Sequence, residues 1–318
     1  MGASTRFGRD STADEVLDGR DLSGSMALVT GASGGIGLET ARALSAHGAT
    51  VFAAVRDVSR TEAALEGVGV PADRRRVVEL DLGSLASVRR ASEAVVASTD
   101  RLDLVVANAG VMACPEGRTV DGFETQFGTN HLGHFTFVNR LVPLLADGSG
   151  GRVVAVSSSA HRFSDVDLDD PNFDSRPYSS HLAYASSKTA NILFAVELDR
   201  RWRERGVRAG ALHPGSIITD LQRHLDEEIQ VMLRARPHVK SIPAGAATSV
   251  WAGVVATPDE LGAHYCQDCQ VAQVSDVAPD VPDAAGGGME GVRSYALDPE
   301  HARALWTRSE ELVGERFD

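Results

Sequence analysis

The chain has 318 residues, 43% of them hydrophobic, and its 31 basic against 44 acidic side chains give a formal charge of −13. An acidic chain without a long basic run excludes a nucleic-acid partner, because neutralising phosphates needs clustered Lys and Arg. No run of about eighteen apolar residues occurs, so no membrane span is expected, and the three cysteines make no disulfide framework, which fits a reducing cytoplasm.

Residues 1–24 are polar, lack the apolar centre of a signal peptide and read as a flexible arm. Beyond them "MALVTGASGGIG" runs from a short apolar β-type segment into a glycine-rich turn, and "LETARALSAHGA" follows with apolar positions at helical spacing. "TVFAAV" (50–55) and "RRVVELDL" (75–82) are the next β-type runs, followed by a helical stretch over about 84–98 and then "LDLVVANAG" (102–110). The alternation continues through "GRVVAVSSS" (151–159), a helix around 181–205 and "VRAGALHPG" (207–215). Six short continuous apolar strands alternating with helices predict a doubly wound, mostly parallel Rossmann-type α/β sheet in a single domain over 25–318.

Two stretches interrupt the rhythm. Residues 160–180 form a polar insertion rich in Asp and Pro, and 220–243 read as one or two short helices closed by Pro237 and Pro243. Both follow the carboxyl end of a strand, where ligands bind in such sheets, so both are candidate pocket walls. Near the C-terminus 278–291 reads as a loop, and a last helix begins with Asp298 as N-cap and Pro299 at its first position. "CQDC" (266–269) is a lone C-x-x-C that lacks the second pair of a zinc site, so two half-buried thiols and no metal are expected.

The turn "TGASGGIG" sets Gly31, Gly35 and Gly37 between the first strand and first helix. A phosphate on a helix N-terminus needs exposed N–H groups and no Cβ in the way. Farther on, Tyr184 and Lys188 stand at i and i+4, on one helix face. Bringing a phenol from near 10 toward 7 takes about 4 kcal/mol of preferential phenolate stabilisation, and an ammonium acts in that direction. Such a pair suits general acid–base work.

These motifs together resemble the short-chain dehydrogenase/reductase family, in order from about residue 25 to 220. Its T-G-x-x-x-G-x-G is matched by residues 30–37, its N-A-G by Asn108, Ala109 and Gly110, its Y-x-x-x-K by Tyr184 and Lys188, and its P-G by Pro214 and Gly215. "TNHLGHF", "VSSSAH", "YASSKTANILF" and "HPG" resemble more narrowly the retinol-dehydrogenase-like branch, which leaves the substrate open.

The resemblance implies a nicotinamide cofactor over Gly31, Ser33, Gly34, Gly35, Ile36 and Gly37, with Asp81 and Leu82 at the adenine and Thr219 at the carboxamide. Arg56, following the second strand, would pair with a 2′-phosphate, helped by Arg60, and so implies NADP(H); Asp57 beside it keeps NAD(H) as the alternative. By the same resemblance Tyr184 donates or takes the substrate proton, Lys188 holds the cofactor ribose and depresses the tyrosine pKa, and Ser158 rather than Ser157 or Ser159 binds the substrate oxygen. Asn130 would anchor a water leading from Lys188 to solvent, while His131 and His134 read as structural. The expected activity is hydride transfer between nicotinamide and an alcohol or carbonyl of a small apolar substrate, with a homo-oligomer possible within the family. A cofactor-binding sensor or scaffold without turnover is the rival reading.

Overall fold

The computed structural model describes residues 6–146, 150–235, 239–277 and 290–318. Pro237 and most of the loop expected over 278–291 lie outside the described residues. The strands are β1 (Met26–Thr30), β2 (Thr50–Val55), β3 (Arg75–Glu79), β4 (Leu104–Ala107), β5 (Arg152–Val156), β6 (Arg208–His213), β7 (Tyr265–Gln267) and β8 (Gln270–Val271). They form one sheet in the order β3-β2-β1-β4-β5-β6-β7-β8. Every pairing is parallel except the β7–β8 hairpin. The chain runs outward from β1 to β3 and restarts at β4 on the other side. That reversal opens a crevice above the carboxyl ends of β1 and β4, where the doubly wound fold binds its ligands.

The helices are α1 (Ala13–Leu17), α2 (Gly35–Ala46), α3 (Val58–Gly67), α4 (Leu85–Ser98), α5 (Thr125–Phe127), α6 (Gly133–Leu145), α7 (Ser180–Trp202), α8 (Glu227–Arg234), α9 (Ile242–Val250), α10 (Pro258–Leu261) and α11 (Pro299–Val313). They cover both faces of the sheet. Leu28, Phe52, Val105 and Val153 point to one side, into a core with Val88, Phe135, Leu193 and Trp306. Their neighbours Val29, Val51, Val106 and Val154 point to the other, against Ala41, Leu44, Ala246 and Trp251. Strands buried on both faces cannot alternate apolar with polar residues, which is why they read as continuous apolar runs.

Three expectations change. Where the sequence reads as a flexible arm, α1 packs on the core: Thr12 and Glu15 close a capping box, and Ala13, Val16 and Leu17 are buried. The spacing i, i+3, i+4 gives even this one-turn helix an apolar face. Pro243 does not close a helix but sits in the first turn of α9, where its missing N–H costs nothing; the segment before it holds a 3-10 turn (Asp220–His224) and α8. Cys266 and Cys269 are fully buried rather than half-buried. Asp268 and Cys269 form the two-residue turn between β7 and β8, both with the positive φ such a turn demands. Burial pushes the two thiols up to about 12 and about 11, far from a reactive thiolate. The last helix begins as expected, with Asp298 accepting from the N–H groups of Glu300 and His301.

Candidate active site

The site is assembled from the ends of β1, β4, β5 and β6. Gly31 leaves β1 with φ +71, and a Cβ there would stand 2.9 Å from Ala109 Cα. A Cβ on Gly37 would meet the Gly31 carbonyl oxygen at 2.4 Å and Asn108 Nδ2 at 2.5 Å. Both positions are closed to any side chain. Thr30 joins the two motifs: its hydroxyl oxygen accepts from the N–H groups of Asn108 and Ala109, each at 2.9 Å. Asn108 Nδ2 in turn donates to the Thr30 carbonyl at 2.8 Å. The glycine turn and the N-A-G segment are therefore one unit, pinned by side chain–backbone bonds.

Residues 128–132 of the sequence "TQFGTNHLGHF" form a π-helical turn between α5 and α6. That turn aims Asn130 back at the β4 end. Its Oδ1 accepts from Val111 N–H at 2.8 Å, and its Nδ2 donates to Val111 O and to Ser187 Oγ, both at 2.9 Å. Asn130 is fully buried and absent from the cavity wall. Its side chain thus braces the loop after β4 against α7. His134 has a fixed tautomer. Thr30 Oγ1 already accepts two N–H bonds, so its own proton goes to His134 Nε2 at 2.8 Å. Nδ1–H then donates to Asn130 O at 2.9 Å. His131 instead reaches Ser309 Oγ on α11 at 2.8 Å. Both histidines are structural.

Three consecutive serines line the cavity and differ in their bonds. Ser157 donates to the Lys188 carbonyl at 2.7 Å, and the Ser159 N–H donates to His213 Nδ1 at 3.3 Å. Ser158 Oγ accepts from Ala160 N at 3.1 Å and is hydrogen-bonded to the Tyr184 side chain. Tyr184 and Lys188 sit one turn apart on α7, with the Lys188 Nζ 5.6 Å from the centre of the tyrosine ring. Nζ donates to Val156 O at 3.0 Å.

Burial sets the protonation of this pair. It pushes Tyr184 up to about 12, against the opposing bond from Ser158, and it pushes Lys188 down to about 8. Among the protein's own groups burial outweighs the Ser158 bond, so the phenol is raised, and no lowering by Lys188 enters. At neutral pH the phenol holds its proton and the amine stays mostly charged. Tyr184 is therefore a proton donor as it stands.

A cavity of about 1280 Å³ runs along these strand ends. Its wall contains Gly31, Ser33, Gly34, Gly35, Ile36, Gly37, Arg56, Asp81, Leu82, Asn108, Ala109, Gly110, Ser158, Tyr184, Lys188, Pro214, Gly215 and Thr219. Every sequence-predicted site residue but Asn130 thus faces one space. At the β2 end Arg56 and Arg60 are exposed on it, while Asp57 Oδ1 is engaged by the Arg60 N–H as the cap of α3. Elsewhere the wall takes aliphatic side chains from the 220–243 segment, Leu221, Leu225, Ile229 and Leu233, together with Leu182 and Met112, beside the polar Gln222 and Arg223. From the 160–180 insertion only Ala160 and Phe163 reach the wall. The rest of that insertion packs elsewhere, Tyr178 donating to Glu124 at 3.1 Å and Asp170 accepting from Asp174 N–H at 2.6 Å. Met112 lies outside the segments expected to form the wall, since an apolar residue in a loop carries no motif, whereas Leu233 falls in the 220–243 stretch. The glycine cradle, the paired cations at one end and the phenol–ammonium pair in the middle fit a dinucleotide laid across the switch point.

Comparison with known proteins agrees. The family described as short chain dehydrogenase matches residues 25–230. The short-chain dehydrogenase/reductase prx1 of Penicillium roqueforti is 38% identical over 315 residues, 95% of this chain and 90% of that protein. The human WW domain-containing oxidoreductase is 37% identical over 322 residues, 98% of this chain and 73% of that protein. An uncharacterized protein from Mycobacterium paratuberculosis superposes with a TM-score of 0.74 at 35% identity, over 97% of this chain and 99% of its own. A short chain dehydrogenase from Burkholderia cenocepacia in complex with NADP does so with 0.59 at 26%, over 74% and 92%.

Proposed function

The chain belongs to the short-chain dehydrogenase/reductase family of oxidoreductases, and from that premise we propose that it is an NADP(H)-dependent carbonyl reductase or alcohol dehydrogenase acting on a small, largely apolar substrate. The reading is carried by one observation: Ser158, Tyr184 and Lys188 converge on a cavity whose wall also holds a glycine turn closed to a Cβ at Gly31 and Gly37. When bound, the nicotinamide cofactor supplies or accepts the hydride. The chain's residues do the rest. Ser158 and Tyr184 hold the substrate oxygen between two hydroxyls, and Tyr184 gives it a proton in the reductive direction. Lys188 would hold the cofactor ribose, and Thr219 its carboxamide. The aliphatic wall from 220–243 excludes water around the reacting carbon.

Preference for NADP(H) rests on charge. Arg56 and Arg60 offer two cations beside the cavity, Arg60 3.8 Å from Asp220 Oδ2, and Asp57 caps α3 through Oδ1. A relative's complex with NADP is in keeping with this.

The test is NADPH oxidation followed against octanal, 2-decanone, 4-nitrobenzaldehyde and trans-1-decalone. Tyr184→Phe, which keeps the ring and loses the proton, is expected to cut turnover by about 100-fold or more with NADPH affinity retained. Tight cofactor binding with no tyrosine-dependent turnover would instead favour the sensor. Arg56→Ala is expected to weaken NADPH binding by about tenfold, the worth of one charge-assisted contact of roughly 1.4 kcal/mol, and to leave NADH untouched. An unchanged ratio of the two affinities would return the cofactor to NAD(H).

A further inference from the structure

The turn that carries Ser158 is held by a group outside the proton-transfer set. The Ser158 carbonyl accepts from the backbone N–H of His161 at 3.1 Å and from its ring Nδ1 at 2.7 Å, so both lone pairs are used. On the other side of the ring, Arg293 N donates to His161 Nε2 at 3.3 Å. A backbone N–H can only donate, so Nε2 carries no proton and Nδ1 must carry it. The imidazole is thereby a one-way relay from the Arg293 backbone to the Ser158 carbonyl, and His161 is 0% exposed.

The same contact region binds the C-terminal segment from several sides. Tyr295 donates to the His161 carbonyl at 2.5 Å, and Arg162 donates to Glu290 O at 2.8 Å. Arg293 Nε donates to Arg162 O at 3.4 Å, and Val292 bridges Val274. Arg162, Arg293, His213, Tyr265 and Tyr295 are the titratable groups round the ring among the described residues, and none is a carboxylate that would stabilise an imidazolium. Burial and the two arginines keep the ring neutral, down to about 4. Ser158 Oγ itself has only two anchors of its own, Ala160 N and the Tyr184 hydroxyl, so its position follows the backbone that His161 fixes.

We propose that His161 is a positioning residue for the reaction, a neutral Nδ1–H imidazole that couples the 290–297 segment to Ser158 and so sets where the substrate oxygen is held. This rests on the oxidoreductase reading above. It also assigns a task to the C-terminal segment, which lies far in sequence from every motif of the site.

Two measurements on the full-length protein decide it. Long-range 1H–15N NMR of the histidine rings, with His161 assigned by comparison with His161→Asn, is expected to show a neutral ring protonated on Nδ1 from pH 5 to 8. A ring that titrates near 6.5, or that carries its proton on Nε2, overturns the proposal. Second, kcat and KM are measured with whichever of the four panel carbonyls is reduced fastest, in wild-type and Ser158→Ala backgrounds. His161→Leu is expected to lower kcat by about 10- to 100-fold with KM for NADPH within about twofold, and to change kcat by less than about twofold when Ser158 is already Ala. His161→Asn, whose Nδ2 can still donate to the Ser158 carbonyl, is expected to recover most of the loss. Equal losses in both backgrounds would mean a general structural role and would sink this proposal alone. A wild type inactive on all four compounds would sink the oxidoreductase reading, and the proposal with it, since no reaction would remain to be positioned.

Discussion

The hydroxyl of Thr30 shows how much of a cofactor site is built by residues that never touch the ligand. It accepts from two backbone N–H groups and passes its proton to His134. Thr30→Val keeps the shape and strands two buried donors, each at about 1–3 kcal/mol. We expect a lower urea midpoint with an unchanged m-value, and weaker NADPH binding; Thr30→Ser should restore both. Equal stability of Val and Thr at this position would mean that the N–H groups find other partners. The residues that would meet substrate or cofactor were legible because chemistry needs specific types at specific spacings: Ser158, Tyr184, Lys188 and the glycines all reach the cavity. The braces were not legible. Asn130 looks like a reacting group in sequence because its type is right, yet its hydrogen bonds go to Val111 and Ser187. His161 has no spacing that announces it, since its partner Arg293 lies 132 positions away. The upward shift that the protein's own groups give Tyr184 comes from desolvation, a property of the folded cavity that a sequence does not carry.

At the level of elements, the strands and the long helices were readable for the opposite reason: they are repetitive. β2 and α4 fall where the apolar run over 50–55 and the helical stretch over about 84–98 place them, and α7 ends within a turn of its expected end. Short elements escape such a reading, because five residues of α1 or three of β7 carry too few apolar positions to stand out from a polar context. The packing of α1 has a consequence for stability. Leu17 is completely buried against the core formed with α2 and α9. Leu17→Ala should destabilise by about 2–5 kcal/mol, the range for a large-to-small change that leaves a cavity. Removing residues 1–24 altogether should lower Tm by more. A true flexible arm would leave both unchanged, so thermal unfolding of the truncated and full-length chains distinguishes the two descriptions. The cavity wall offers a second test at this scale. The 3-10 turn contributes Leu221, α8 contributes Ile229 and Leu233, and Leu225 lies between them, aliphatic side chains that favour an apolar substrate through the area they cover. Ile229→Asn should raise KM for octanal about tenfold or more with kcat little changed, since about 1.4 kcal/mol of apolar contact is worth a factor of ten. An unaffected KM would place the substrate elsewhere in the cavity.

For the molecule as a whole, the buried imidazoles make an acid limit. His131, His134 and His161 are all buried, and burial drives them down to about 3, about 4 and about 4. An unfolded histidine titrates near 6.5. Between pH 6.5 and 4 the unfolded chain therefore binds protons at these three residues that the folded chain refuses. Their folded pKa values are depressed, so stability is complete above pH 6.5 and is lost as the pH falls toward 4. Each ring costs about 1.4 kcal/mol by pH 5.5, roughly 4 kcal/mol for the three together. His301, raised by Asp165, opposes them, but as one half-buried group against three. A typical domain has about 5–15 kcal/mol in reserve, so unfolding is expected at mildly acidic pH rather than below pH 3. Urea unfolding at pH 5, 6, 7 and 8 measures it: ΔG should rise from pH 5 to 7 and then level off. His131→Phe removes one of the three protons and keeps a ring among Phe127, Phe135 and Phe194. Its stability should fall less steeply below pH 6.5, by about 1.4 kcal/mol per pH unit. A variant that loses stability with acid as fast as the wild type would show that His131 is protonated in the folded protein. Its bond to Ser309 would then have to be that of an imidazolium.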